Sequence, residues 1–350
     1  MSLARAIEAA AARREVDAAD LEAAFGEIVD GRATPVRIAA LLVALRTKGE
    51  TVGEMVAAAR ALRARARTAL AADDRTVDTC GTGGAGAAKT FNVSTTAAFV
   101  VAGAGVPVAK HGNRAATSRS GSFDLLEALG VAIDLSIEES ARVLRETGIA
   151  AFFARTAHPA MRHVAPVRQE LGIRTLMNAL GPLLNPVGAR YQVVGVYDAA
   201  LLRPMAEALG RLGGERALVV HGSDGLDELT TRGPSAAALL DGGEVRVLSV
   251  EPSALGIAPP AAGALDGGDA ARNAEIARAV LAGEPGAARD IATLNAAAAI
   301  WVARGARDLA EGLERARHSI DSGAAREKLD ALVRATNAIA RTRAGPGAAA

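Results

Sequence analysis

The chain has 350 residues, a formal net charge of +1 at pH 7 and 50% hydrophobic residues, few of them aromatic. A single hydrophobic core rarely extends beyond roughly 250–300 residues, so this length predicts two structural units. The near-neutral charge argues against a protein that nucleic acid or acidic lipid attracts through its overall field. The one cysteine, Cys80, rules out an internal disulfide and is typical of a reducing compartment, so we expect a cytoplasmic protein.

Residues 1 to about 70 show helical periodicity and carry no strand signal. Breaks in the pattern fall near three residues that favour helix starts: Asp17, Thr34 and Thr51. Four apolar residues of the third segment would share one helical face: Ile38, Leu41, Leu42 and Leu45. That face is either the core of a helical unit or a contact with a second subunit, and the pattern alone favours neither.

From residue 76 onward, short β-prone runs alternate with longer helical ones. We predict strands at residues 76–79, 106–109, 149–153, 192–196, 217–220 and 245–250. We predict helices at residues 94–102, 122–129, 137–146, 201–209 and 270–281, and closing helices over about 286–341. This alternation predicts an α/β fold with a mostly parallel central sheet. The apolar run at 91–109 is interrupted by glycines and a proline, so we expect no membrane span there.

The proline-interrupted stretch at 171–188 has helical but no strand character. We therefore expect it to leave the sheet and pack on the N-terminal helices. The predicted organisation is a small all-helical domain at 1–72, joined by 171–188, and a larger α/β domain at 73–345.

Two glycine-marked loops each follow a predicted strand. The first contains Gly81, Gly83 and Gly84, and the second runs from Lys110 to Arg114. Glycines let the backbone approach a ligand closely, and consecutive N–H groups form an anion site. Ligands of parallel sheets bind at the carboxyl ends of strands, where both loops are predicted to lie. The pair predicts a ligand with two phosphate ends, which Lys110 would contact.

Adjacent carboxylates lie shortly after the predicted strand at 217–220, in the sequence Asp224-Gly-Leu-Asp227-Glu228. Such oxygen ligands at a strand end fit Mg²⁺, which favours sites that also hold substrate phosphates. A solvated acidic turn is the alternative on this motif alone.

A basic segment runs from His158 to Arg168 and reads HPAMRHVAPVR. Its prolines disturb a single helical face and it lacks an HExxH pattern, which argues against zinc. It is either a helix start that presents basic side chains to an acidic ligand or an ordinary arginine-bearing surface helix. His111, beside Gly112, would contact the ligand or order the turn.

Seven motifs follow one another along nearly the whole chain. They are GTGG, TFNVST, VAKHGNRAATSRSGS, DLLEALG, HPAMRHVAPVR, LGPLLNP and HGSDGLDELT. In this combination the chain resembles the anthranilate phosphoribosyltransferases. The resemblance implies a nucleoside phosphorylase/phosphoribosyltransferase type of fold and a homodimer formed through the helical domain. It also implies that anthranilate and phosphoribosyl pyrophosphate give N-(5-phosphoribosyl)anthranilate and pyrophosphate, in tryptophan biosynthesis. From the net charge of +1 and the interrupted apolar run, we expect no nucleic-acid or membrane partner.

The resemblance also implies site residues. Phosphoribosyl pyrophosphate would contact Gly81, Gly84, Ala85, Thr90, Asn92, Val93, Ser94, Thr95, Lys110, His111, Gly112, Asn113, Arg114, Ala115, Ala116, Thr117, Ser118 and Ser122. Anthranilate would contact Gly81, Asn113, His158 and Arg168. Magnesium would be held by Ser94, Asp227 and Glu228. Catalytic roles would fall to Lys110, His111, Asn113 and Arg168. The family usually has Asp where this chain has Ala85.

Two other functions are considered. Pyrimidine nucleoside phosphorylases have a similar fold and glycine loop, and Lys89 is similar to a residue of their phosphate loop. A non-catalytic nucleic-acid-binding relative is the second. The KHGNR motif, Arg168 and the acidic pair weigh against the first alternative. The net charge of +1 and the intact acidic pair weigh against the second.

Overall fold

A computed structural model of the protein describes residues 2–71, 73–83, 90–115 and 119–344. The chain begins with four helices: Ser2–Ala11 (α1), Ala18–Val29 (α2), Pro35–Lys48 (α3) and Val52–Arg63 (α4). The predicted breaks are their starts. Asp17 accepts hydrogen bonds from the first N–H groups of α2, Pro35 opens α3, and Thr51 forms a capping box with Glu54.

The apolar face of α3 is core. Ile38, Leu41, Leu42 and Leu45 are all buried within this chain, which decides between the two alternatives for that face. The same bundle holds a buried ion pair, in which the Glu54 carboxylate accepts from Lys48 Nζ at 2.9 Å. Glu54 also accepts the backbone N–H groups of Val16 and Thr51, each at 2.9 Å.

The α/β part alternates strands and helices. The strands are Val77–Gly81 (β1), Val108–Gly112 (β2), Ile149–Phe153 (β3), Tyr191–Gly195 (β4), Arg216–Gly222 (β5), Ser235–Asp241 (β6) and Glu244–Val250 (β7). The helices up to β4 are Val93–Gly103 (α5), Ser122–Ala128 (α6), Ile137–Thr147 (α7), Ala154–Ala157 (α8), Ala165–Leu171 (α9) and Leu176–Leu180 (α10). The later helices are Leu202–Arg211 (α11), Ala270–Leu281 (α12), Ala287–Val302 (α13), Leu309–Asp321 (α14) and Ala324–Ala344 (α15).

The strands form one seven-stranded sheet in the order β3-β2-β1-β4-β5-β6-β7. The pairings from β3 to β5 are parallel, and β6 and β7 add antiparallel to the far edge. The predicted α/β fold with a mostly parallel sheet is therefore confirmed. The sequence prediction missed β6 because its residues, SAAALLD, are helix-favouring and contain no β-branched residue.

Helices cover the sheet. α5 is buried along most of its length and packs against α13 and α15. On the other side, α10 contacts α3 and α4, while α9 contacts α3 and α11 contacts α4. Within the described ranges, no helix is both long enough and apolar enough to cross a membrane.

Candidate active site

The turn after β5 closes onto the glycine ends of β1 and β4. Asp227 Oδ2 accepts the N–H of Gly83 at 2.8 Å. A Cβ atom on Gly81 would lie 2.6 Å from the same oxygen, and one on Gly195 would lie 1.6 Å from the Asp227 carbonyl oxygen. Any larger residue would push this turn away. The structure thus brings the first glycine loop and the acidic motif together at the carboxyl edge of the sheet.

The acidic pair is partly buried and, among the described residues, has no cationic partner in direct contact. Glu228 Oε1 accepts the N–H of Ser94, in the first turn of α5, at 3.1 Å. Burial and repulsion from Asp227 raise the pKa of Glu228 to about 8, and burial raises the pKa of Asp227. Within the described residues, neither carboxylate forms an ion pair with a lysine, arginine or histidine.

Oxygen donors of this kind suit Mg²⁺. Among the described residues, no cluster of three or more His, Cys, Asp or Glu side chains converges on one point. A magnesium ion at this edge would therefore depend on the two carboxylates, a hydroxyl and the oxygens of substrate or water, which is how this ion is commonly bound.

Lys110 lies within strand β2 and not in the loop where its sequence context placed it. Its side chain is 3% exposed, and Nζ donates to the Thr79 carbonyl of β1 at 2.5 Å. The loop prediction was wrong because the β-prone residues before Lys110 were taken as the end of the strand, which continues to Gly112. The ammonium therefore lies beneath the sheet edge, between the two glycine loops.

A fully buried acidic residue, which the sequence did not single out, lies beside Lys110. Asp78 Oδ1 accepts the N–H of His111 at 3.1 Å, and Oδ2 accepts Asn185 Nδ2 at 2.8 Å. Burial raises the pKa of this carboxyl group, which the Lys110 charge partly offsets. The available signal was a charged residue inside a β-prone run of otherwise uncharged residues.

The second glycine loop is fixed against the start of α6. The Asn113 carbonyl accepts Ser122 Oγ at 3.1 Å and the Phe123 N–H at 3.2 Å. Arg114 forms ion pairs with Asp124 at 3.1 Å and Glu127 at 2.8 Å. The Arg114 guanidinium is thus engaged by the helix, and a ligand would have to compete with both carboxylates for it.

The same helix start also holds the last described residue of this loop. Ala115 donates its N–H to Asp124 at 2.9 Å. Asp124 therefore contacts both the backbone of the loop and the Arg114 side chain, which fixes the loop from Asn113 to Ala115 against α6.

Asn92 connects the start of α5 to the second loop. Its Nδ2 donates to the Ser120 carbonyl at 3.1 Å, and its Oδ1 accepts Asn273 Nδ2 at 2.9 Å. Ser120 belongs to the VAKHGNRAATSRSGS motif, whereas no sequence pattern identified Asn273.

The residues around Asn92 differ in what they can offer a ligand. The Thr95 hydroxyl is buried without a partner within the described residues, whereas the Val93 side chain belongs to the core. Thr90 precedes them, and its hydroxyl donates to the Phe91 carbonyl at 3.0 Å.

Two buried histidines meet edge to face. The rings of His111 and His158 lie 5.4 Å apart, and His158 Nε2 contacts the Leu184 carbonyl at 2.8 Å. His111 Nε2 and His158 Nδ1 have no hydrogen-bond partner among the described residues. Burial lowers the pKa of both imidazoles, and that of His111 falls to about 3, so both rings are neutral near pH 7.

Arg168 lies in α9, in the same basic segment as His158. Its side chain is partly buried, and burial lowers the pKa of the guanidinium. Within the described residues, it has neither a carboxylate partner nor a side-chain hydrogen bond. A half-buried cation without a counter-charge is suited to an anionic ligand.

Some residues named from the sequence lie outside the described residues. They belong to the two glycine loops and are Gly84, Ala85, Lys89, Ala116, Thr117 and Ser118. The described members of both loops, Gly81, Gly83 and Gly112 to Ala115, flank the shared edge of β1 and β2.

The buried neutral His111 predicts a loss of stability in acid. Its folded pKa of about 3 lies below the value of about 6.5 for an exposed histidine, so the unfolded chain binds a proton first. Its contribution is complete above about pH 6.5 and falls as the pH drops towards 3, by about 2 kcal/mol at pH 5. The lowered pKa of His158 acts in the same direction.

We therefore expect His111→Gln to be less sensitive to acid than the unmodified protein. Urea unfolding at about pH 7.5 and pH 5 measures the difference. The variant should lose about 2 kcal/mol less between these pH values. An equal loss in both proteins would show that His111 does not resist protonation.

Comparisons with known proteins agree with this architecture. The family described as "Glycosyl transferase family, a/b domain" matches residues 73–326, and "Glycosyl transferase family, helical bundle domain" matches residues 4–66. The anthranilate phosphoribosyltransferase of Rubrobacter xylanophilus is 54% identical over 347 residues, which cover 99% of this chain and 100% of that protein.

Solved structures extend the likeness to the whole fold. The anthranilate phosphoribosyltransferase of Thermus thermophilus matches with a TM-score of 0.90 and 43% identity, over 95% of this chain and 99% of that one. The Saccharomyces cerevisiae enzyme in complex with PRPP and Mg matches with a TM-score of 0.87 and 27% identity, over 96% and 98%. The same yeast enzyme in complex with 4-fluoroanthranilate matches with a TM-score of 0.86 and 26% identity, over 96% and 98%. The chain therefore belongs to the anthranilate phosphoribosyltransferase family.

Proposed function

We propose that this protein transfers the 5-phosphoribosyl group of phosphoribosyl pyrophosphate to anthranilate, giving N-(5-phosphoribosyl)anthranilate and pyrophosphate. Family membership supports the reaction, and tryptophan biosynthesis is the pathway that the family name implies. The observation that carries the proposal is the sheet edge where Gly81, Gly83 and the Asp227–Glu228 pair meet, with the unpaired Arg168 in the basic segment.

The donor would bind across the ends of β1 and β2. Backbone N–H groups of the glycine loops and of the first turn of α5 would face its phosphate oxygens. The N–H groups of Gly83 and Ser94 donate to Asp227 and Glu228, so a phosphate would have to compete with these carboxylates for them. The described residues proposed to form the donor site are Gly81, Thr90, Asn92, Val93, Ser94, Thr95, Lys110, His111, Gly112, Asn113, Arg114, Ala115 and Ser122. Lys110 is buried, so it would act from beneath the site. Among them, Val93 can offer only its backbone, because its side chain is buried in the core.

Mg²⁺ would be held by Ser94, Asp227 and Glu228. The unpaired carboxylates support this assignment, because two neighbouring negative charges are costly without a cation between them. When bound, magnesium would offset the negative charge of the departing pyrophosphate. A solved structure of the yeast relative is in complex with PRPP and Mg, which also supports the use of this ion.

The acceptor would be anchored by its carboxylate. Arg168 would bind that group, and Gly81, Asn113 and His158 would line the rest of the site. The amine of anthranilate is an aniline that is already neutral and nucleophilic at pH 7, so no strong base is needed. Neutral His111 and His158 are consistent with this chemistry, because they add no positive charge beside the reacting amine.

Catalysis would then rest on charge and position. Attack at the ribose C1 atom breaks its bond to pyrophosphate, so positive charge develops on the sugar and negative charge on the leaving group. The Lys110 ammonium, held beneath the sheet edge by the Thr79 carbonyl, would stabilise the leaving group through space. Alignment of the two substrates can contribute about 7–11 kcal/mol.

The domain organisation proposed is a helical domain at 1–72 with 171–188 and an α/β domain at 73–345. Contacts of α10 with α3 and α4 support it. The single cysteine supports the proposed cytoplasmic location.

We propose a homodimer through the helical domain, because Val36, Val43 and Ile173 expose 78%, 37% and 50% of their surface there. Light scattering should give twice the chain mass of 35.4 kDa, and the mass of one chain would refute the dimer.

The reaction itself is tested by mixing the purified protein with anthranilate, phosphoribosyl pyrophosphate and Mg²⁺. Anthranilate fluorescence should fall as product forms, and only when all three are present. Thymidine and inorganic phosphate serve as the control substrates. Turnover of the control pair without turnover of anthranilate would contradict the proposed function.

We expect Arg168→Ala to raise the KM for anthranilate by about 10- to 100-fold, with a smaller change in kcat. The lost contact is a charge-assisted one of about 1.5–3 kcal/mol that is similar in the ground and transition states. Steady-state kinetics at saturating donor measures it. Arg162→Ala, an exposed arginine of the same segment, is the matched control and should change KM by less than about twofold. Equal KM values in the two variants would remove Arg168 from the acceptor site.

We expect the double variant Asp227→Asn, Glu228→Gln to need much more Mg²⁺ for half-maximal rate and to turn over more slowly. Neutral amides remain oxygen donors but no longer attract the cation. A magnesium titration of the initial rate measures the shift. Asp266→Asn, in which the lost carboxylate lies 3.9 Å from Arg232 and is mostly exposed, is the control. An unchanged magnesium requirement in the double variant would rule out this metal site.

A further inference from the structure

Strands β1 and β2 pair differently from the other parallel strands. Their register pairs only Val77 with Val108, whereas β1 and β4 stay paired to the end, from Val77 with Tyr191 to Gly81 with Gly195. The sheet is therefore opened between β1 and β2 at the edge where both glycine loops begin.

Side chains replace the missing backbone ladder in this gap. The N–H of His111, on β2, donates to Asp78 Oδ1, on β1, at 3.1 Å. In the opposite direction, Lys110 Nζ donates to the Thr79 carbonyl at 2.5 Å. Each bond satisfies a backbone group that the missing ladder would otherwise leave unpaired, and burial makes such groups costly to leave without a partner.

The second oxygen of Asp78 reaches a third element. Asn185 Nδ2 donates to Asp78 Oδ2 at 2.8 Å and to the Ala109 carbonyl of β2 at 2.9 Å. The preceding residue, Leu184, supplies the carbonyl that contacts His158 Nε2 at 2.8 Å. Asp78 thus connects β1, β2 and the turn that supports a proposed acceptor residue.

We propose that Asp78 is a positioning residue for the transferase reaction, which sets the spacing of the two glycine loops and anchors the turn at Asn185. It acts through other residues, because its side chain is 0% exposed and cannot touch a substrate. The expected effect of Asp78 on kcat rests on the proposed function. Its effect on the pairing of β1 and β2 is measured separately, by hydrogen exchange.

A carboxylate is required at this position by its hydrogen-bond chemistry. Both oxygens face donors, the His111 N–H and the Asn185 amide, and an ionised carboxylate accepts at both. An asparagine has one oxygen and one NH₂ group, so one donor would face another donor. Asp78→Asn therefore keeps the volume but breaks one side of the connection.

The experiment compares Asp78→Asn with Glu54→Gln. Glu54 is also buried, accepts two backbone N–H groups and pairs with a lysine, but it lies in the helical bundle. Both variants should unfold at a lower temperature. Only Asp78→Asn should also lose kcat, by about tenfold or more, because only it displaces the reacting groups. Hydrogen exchange in residues 108–112 should be faster in Asp78→Asn and unchanged in Glu54→Gln.

Asn185→Ala is the second variant, in case Asp78→Asn does not fold. This variant removes the amide that donates to Asp78 and leaves the Asp78 carboxylate bonded to the His111 N–H. We expect kcat to fall and the KM for anthranilate to rise, while the KM for phosphoribosyl pyrophosphate changes little. Retention of kcat within about twofold in the folded variants, or an equal fall in Glu54→Gln, would overturn the inference.

The two proposals fail in different ways. Absence of the transferase reaction in the unmodified protein would contradict the proposed function. Hydrogen exchange would then be the one remaining test of the positioning role of Asp78. Unchanged exchange at 108–112 in Asp78→Asn would overturn the positioning role, whatever the activity of the unmodified protein.

Discussion

The close approach of Asp227 to the glycine ends of β1 and β4 is the contact on which the proposed site depends. It exists because Gly81 and Gly195 have no side chains, which lets the turn after β5 lie directly on the sheet edge. The carboxylate then reaches the Gly83 N–H, and Glu228 reaches the start of α5. Elements distant in sequence meet at one edge because parallel strands end there together.

Charge is distributed unevenly around this edge. The proposed donor side holds the buried Lys110 and a pair of carboxylates that has no cationic partner in contact among the described residues. These groups are suited to phosphates and to a metal. The residues proposed near the acceptor include the neutral His111 and His158, and Arg168, which has no carboxylate partner among the described residues. This separation fits a reaction in which one substrate is multiply anionic and the other is an aromatic amine with one carboxylate.

Local patterns predicted the fold well where side chains of one segment decide the structure. The helix starts at Asp17 and Thr51 follow from side-chain capping, and the start of α3 follows from Pro35 at its first position. The buried face of α3 follows from helical periodicity. β6 was missed because its alanine-rich sequence has no intrinsic strand preference, and its pairing with β5 and β7 decides its conformation.

The motifs of the candidate site could be predicted from the sequence, whereas the buried residues that hold those motifs in place could not. Glycine loops and adjacent carboxylates are recognisable by their spacing, and the family resemblance named the ligands. Asp78 and Asn185 are far apart in sequence and isolated in their local contexts, so only the folded chain shows that they meet. The burial of Lys110 depended on where β2 ends, and strand ends are set by neighbouring strands more than by local preference.

The most direct test of the central claim is a crystal structure of the protein soaked with phosphoribosyl pyrophosphate, Mg²⁺ and a non-reacting anthranilate analogue. The donor should lie against the Gly81–Gly83 loop, the metal on Asp227 and Glu228, and the analogue's carboxylate on Arg168. A donor bound away from the shared ends of β1 and β4, or an analogue carboxylate that does not contact Arg168, would contradict it.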